Sequence, residues 1–176
     1  MERDSNGRLL VITKLLVYLM LALLAVLALL LVVGAVALPF NWAEITQAIG
    51  EEYPKIDAVA LLPKIYAILW LGLGLIGLAA TILAKLLAII GSLAKGDPFI
   101  LANAARLKII GWLMVAAQIL GGVLAFAARD TADLFGRNNV DAGPSLNGIL
   151  AILLVFILAG IFERGAAMRE ELEGTV

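Results

Sequence analysis

The side chains that could do chemistry in this chain are few, because it contains neither Cys nor His. Thiolate and imidazole metal sites, disulfides, and Cys or His catalysis are therefore excluded. The densest set of oxygen ligands is Asp130, Asp133, Asn138, Asn139 and Asp141, but their spacing does not follow a calcium-binding loop and reads as a solvated turn region. Within the long apolar stretches the notable polar residues are Thr81 and Gln118, neither of which ionises, while Lys14 and Lys85 lie close enough to a span end to snorkel. An acid, base or nucleophile in a protected pocket is what catalysis needs, and none is evident. The reading is a protein that is not an enzyme, with no cofactor and no metal.

Two polar clusters remain. One is Lys95-Gly96-Asp97-Pro98-Phe99 followed by Asn103, Arg106 and Lys108. The other is Glu163, Arg164, Gly165, Met168, Arg169, Glu170, Glu171 and Glu173. Phe99, Asn103, Arg106 and Ile110 recur at helical intervals and so share one face.

The elements that must position these clusters are membrane spans. The chain has 176 residues, 63% of them hydrophobic and 15% charged, well above the roughly half-apolar usage of soluble domains. Apolar stretches at about Leu15 to Leu38, Ile65 to Ile90, Ile109 to Ala128 and Leu146 to Phe162 are each near the roughly 20 residues that cross a bilayer. The fold class is all-α: one membrane domain, a bundle of four transmembrane helices. The expected layout is a first span at 13–38, an outer loop at 39–62, a second span at 63–94, an inner hairpin turn at 95–97, a third span at 98–128, an outer loop at 129–145, a fourth span at 146–168 and a tail at 169–176.

With the N-terminus inside, nine of the 13 basic residues fall on the cytoplasmic side and only Lys55, Lys64, Arg129 and Arg137 outside. This bias predicts both termini in the cytoplasm. Ala35-Val36-Ala37 has the form of a signal-peptidase site, but the apolar run before it is longer than an ordinary signal core, so the segment is read as a helix. A net charge of −1 provides no basic field for nucleic acid.

The connections carry capping signals. Asn41-Trp42-Ala43-Glu44, after Pro39, has a capping-box pattern and predicts a short external helix lying at the interface, with Ile45, Ala48 and Ile49 on its apolar face. Pro63 suits the first turn of the second span. Gly96 can end that span, Asp97 can cap the third and Pro98 fits its first position.

Gly96-Asp97-Pro98-Phe99 with Asn103 and Arg106, together with Phe162-Glu163, Gly165, Met168-Arg169-Glu170 and the terminal Glu173, Thr175 and Val176, resembles a bacterial family of small four-helix membrane proteins catalogued as domain of unknown function 2975. The second motif departs from the family pattern at Gly174, where an apolar residue is more usual. The resemblance implies a protein of the bacterial cytoplasmic membrane and, as a partner, a small helix-turn-helix regulator of the kind often encoded beside family members.

Two functions compete. The first is a regulatory or scaffolding membrane protein that binds a cytoplasmic partner through Gly96, Asp97, Pro98, Phe99, Asn103, Arg106, Glu163, Gly165, Arg169 and Glu170. In that reading Arg106 approaches Glu163 or Glu170 across the helices. The second is a small dimeric transporter or channel-like protein, a homo-oligomer with Gln118 in the pathway. Against it, no Asp or Glu occurs within the apolar stretches, and Gln118 reads as an interhelical hydrogen bond worth on the order of 1 kcal/mol.

Overall fold

The computed structural model describes residues 2–94, 98–136 and 145–173. These form α1 (Glu2–Ala37), a 3-10 turn (Leu38–Asn41), α2 (Trp42–Glu52), α3 (Ala58–Ala94), α4 (Leu101–Leu134) and α5 (Leu146–Glu173), with no strand among the described residues. Four helices are long and apolar enough to span a membrane, which is compatible with a multi-pass membrane protein. At 37 residues α3 is about 55 Å long, so it must tilt or emerge from a hydrocarbon layer of roughly 30 Å.

The first span and the short helix after it are almost one helical run. Pro39 tightens the backbone into the 3-10 turn instead of breaking it. The amides that open α2 therefore follow a turn that is already helical. Asn41 accordingly does not cap: its Nδ2 turns back to donate to the Ala37 carbonyl at 2.9 Å. The capping-box expectation is corrected in this respect, although the short helix itself is present.

Pro63 is not in the first turn of α3. Asp57 sets the start instead, its Oδ1 accepting from the Val59 and Ala60 amides at 3.0 and 3.4 Å, which leaves Pro63 inside the helix. At the start of α5, the Ser145 hydroxyl accepts from the Gly148 amide at 3.2 Å. The helix then continues to Glu173, beyond the expected end of the span at 168.

The described chain divides into two compact units. Unit 1 comprises residues 1–23, 78–117 and 145–176 and includes all of α5. Its core is Ile89, Leu107, Ile110 and Ala159, with Ile82, Leu86, Met114, Val155 and Phe162 packed against them. On α4 the stripe Asn103, Leu107, Ile110, Met114 has helical spacing and faces this core. Small residues set the approach of α5. A Cβ at Gly111 would lie 2.8 Å from the Phe156 ring, which in turn meets Trp112 edge-on at 5.7 Å.

Unit 2 comprises residues 24–77 and 118–144. Here the Tyr66 hydroxyl donates to the Ala35 carbonyl at 3.1 Å, tying α3 to the end of α1. Lys64 of α3 pairs with Asp130 of α4 at 2.6 Å.

Between Leu10 and Ala35 of α1, the residues covered by protein are Leu10, Lys14, Val17, Leu21, Leu24, Ala28, Leu31 and Ala35, at alternating intervals of four and three. This is a two-in-seven seam of the coiled-coil type. The rest of that stretch is mostly Leu, Val, Ile and Ala left bare of protein, as suits a surface whose solvent is lipid.

Candidate functional site

The polar heart of unit 1 is Asn103, in the first turn of α4. Its side chain is fully buried, at 0% exposure. A buried amide without partners costs roughly 1–3 kcal/mol, so its environment has to be built to receive it. Nδ2 donates to the Ser92 hydroxyl at 2.6 Å and to the Pro98 carbonyl at 2.9 Å. Oδ1 accepts from Arg106 Nη1 at 2.7 Å. The chain continues at both ends: Ser92 donates to the Ile89 carbonyl at 2.7 Å, and Arg106 Nη1 makes a longer contact to the Ala88 carbonyl at 3.4 Å. One side chain thus links the last turns of α3, the segment before α4 and the first turns of α4.

That arrangement corrects the expected helix start. Pro98 to Ile100 are not helical, and α4 opens at Leu101, with the Asn103 and Ala104 amides donating to the Ile100 carbonyl at 2.9 and 3.4 Å. The Pro98 carbonyl is held by Asn103, and the next residue is anchored elsewhere. The Phe99 ring rests on α5, 5.2 Å from the Phe162 ring, and its Cδ1 would be 2.7 Å from a Cβ at Gly165. Only glycine at 165 admits the ring so closely. Gly96 and Asp97 lie outside the described residues, as does the 95–97 turn they were expected to form.

The expected pairing of Arg106 with Glu163 or Glu170 is also corrected. Arg106 is turned toward α3 by Asn103, one helical turn before it, while Lys108, two residues on and about 200° around the helix, faces α5. Lys108 therefore takes Glu163, at 2.8 Å. Both partners are about half exposed, at 49% and 51%, so the pair contributes on the order of 0.5 kcal/mol and serves mainly to set helix register. The remaining N–H groups of Arg106, on Nε and Nη2, have no partner among the described residues.

Of the residues singled out from the sequence, Pro98, Phe99, Asn103 and Arg106 gather with Gly165 and, through Lys108, with Glu163. Arg169 and Glu170 lie on the exposed last turns of α5, and Arg169 is engaged in an interaction of its own. Ser92 is the participant that sequence reasoning missed. The available signal was a lone hydroxyl in the apolar last turns of α3, eleven residues before Asn103. Gln118 is half-buried and engaged with another group.

Among the described residues no three acidic side chains gather in a way that could hold a metal ion. The arrangement can join helices and present a surface.

Neither a curated protein nor a solved structure matches the chain. A family model does, over residues 44–176, a stretch that begins within α2 and takes in α3, α4, α5 and every residue of the Asn103 network. The chain belongs to the family described as protein of unknown function (DUF2975).

Proposed function

We propose that this protein is a non-catalytic regulatory or scaffolding protein of the bacterial cytoplasmic membrane. In this reading both termini are cytoplasmic, and a partner protein docks on the surface made by Pro98–Arg106 and the distal half of α5. The observation that carries it is the seating of Phe99 on Gly165 and Phe162, which unites two sequence motifs more than sixty residues apart. The excess of Lys and Arg on the same side of the spans supports the orientation. Arg106 supports the docking role, since its Nε and Nη2 donors have no partner among the described residues and suit a carboxylate or a backbone carbonyl of an incoming chain. The family resemblance makes a small helix-turn-helix regulator the first candidate partner.

The test is affinity capture from native membranes in mild detergent. Wild type is compared with Phe99→Ala and with Glu170→Arg, a surface change that leaves the Asn103 network intact. A defined protein should be retained by wild type and lost, by about tenfold or more, with both variants. Retention of the same proteins by all three chains would remove this surface from consideration. The transporter reading draws no support from Gln118, whose half-buried, engaged side chain suits helix packing.

A further inference from the structure

Unit 2 contains a cavity of about 440 Å³ lined by Glu52 and Tyr53 at the end of α2, Ile68 of α3, and Ala128, Thr131, Ala132 and Phe135 of α4. Its size falls in the range of small-molecule sites, roughly 300–1,000 Å³. Two features give it a chemical preference. The first is aromatic walls: the Tyr53 and Phe135 rings meet at 86° with centroids 5.1 Å apart, forming a corner on the cavity. Tyr53 is fixed there because it terminates α2, its amide donating to the Ile49 carbonyl at 2.7 Å.

The second feature is the sign of the field. α2 ends in Glu51-Glu52 with no basic residue in its last turn, so two carboxylates sit at the negative pole of the helix, where a cation is the favoured occupant. Glu51 is engaged by Gln47 at 3.0 Å, whereas Glu52 lines the cavity. Neither nearby lysine in the chain lines the cavity: Lys55, three residues after Glu52, is not part of its wall, and Lys64 is committed to Asp130 at 2.6 Å. Thr131 spends its hydroxyl on the Ala127 carbonyl at 2.9 Å, so its methyl adds to the apolar lining.

We propose that this cavity binds a small organic cation with an apolar body, Glu52 supplying the counter-charge and Tyr53 and Phe135 the aromatic walls. Face-on aromatic contact adds to charge pairing for ammonium groups, and the aliphatic lining at Ile68, Ala128 and Ala132 accepts the apolar remainder. A metal cation fits less well, because one carboxylate and two rings do not make an oxygen shell.

The probe is benzyltrimethylammonium, titrated into the full chain in nanodiscs of zwitterionic lipid and followed by saturation-transfer NMR, with empty nanodiscs subtracted. Saturable binding is expected. Glu52→Gln should weaken it by about tenfold and Phe135→Leu by about threefold, while Glu44→Gln, in the first turn of α2, should leave it unchanged. Benzoate should not bind. Absence of saturable binding by wild type, equal affinity in Glu52→Gln, or benzoate binding as tightly as the cation would each overturn the proposal. The benzoate arm uses wild type alone and so does not depend on the variants folding.

Discussion

The two units use nearly the same parts with different results. Among the described residues each has one Lys-to-acid pair between helices, Lys108–Glu163 at 2.8 Å and Lys64–Asp130 at 2.6 Å. Each also has an aromatic pair with ring centroids just over 5 Å apart, Phe99–Phe162 at 5.2 Å and Tyr53–Phe135 at 5.1 Å. In unit 1 Phe99 of the aromatic pair sits directly on Gly165, and the fully buried Asn103 holds the carbonyl of the preceding Pro98. In unit 2 the pair stands at the wall of a cavity. Identical contact types therefore lock helices in one place and leave room in the other. What separates them is the buried polar network, whose partners are specific and expensive to lose, against a surface ion pair that water and salt weaken.

The sharpest way to break the comparison is at Asn103. Replacing it with Leu keeps the approximate size but strips partners from Ser92, the Pro98 carbonyl and Arg106 together. The expected loss of stability is about 3 kcal/mol, since leaving buried polar groups unmade costs roughly 1–3 kcal/mol each and some will relax toward water. Unfolding in mixed micelles, followed by the intrinsic Trp fluorescence, measures it. A change below about 0.5 kcal/mol would mean that the network is incidental and that unit 1 is held by its apolar core alone.

Much of this was legible in the sequence, and the failures have physical causes. The four spans and the short helix after Pro39 follow from apolar length and turn chemistry. The common face of Asn103, Arg106 and Ile110 follows from helical spacing. The starts of α3 and α4 did not, because a proline marks where a helix can begin and not where it does. Asp57 captures the start of α3 five residues before Pro63, and the tertiary hold on Pro98 and Phe99 delays α4 to Leu101. The choice of Lys108 over Arg106 for Glu163 could not be made from depth, which ranks the two equally. Rotation around the helix decides it. The seam of α1 was invisible for another reason: a helix apolar on every side for lipid carries no pattern that marks the side facing protein. The cavity was out of reach because Glu52 and Phe135 are far apart in the chain.

A second and smaller effect is expected at the glycine under Phe99. Gly165→Ala places a methyl 2.7 Å from the ring, so the ring must move, at a cost of about 1–2 kcal/mol. Phe99→Leu removes the obstruction along with the packing. In the double variant the two losses should sum to less than their separate values, because the methyl then has room. Strict additivity in the same unfolding assay would show that Phe99 is not the group that Gly165 accommodates.

The smallest effects, and the most direct test of the parallel between the units, are at the two ion pairs. Each joins neighbouring helices, and their partners are from one third to just over one half exposed: 49% and 51% for Lys108 and Glu163, 34% and 55% for Lys64 and Asp130. Double-mutant cycles on Lys108→Ala with Glu163→Ala, and on Lys64→Ala with Asp130→Ala, should each give a coupling of about 0.5 kcal/mol that falls as salt is raised. The two couplings should be nearly equal if the difference between the units lies in the Asn103 network and the cavity, and none of it in the charges. A coupling above about 2 kcal/mol at Lys64–Asp130 alone would reverse that assignment. Unit 2 would then be held rigid by its ion pair, with the helices around its cavity fixed in place by charge and not by packing.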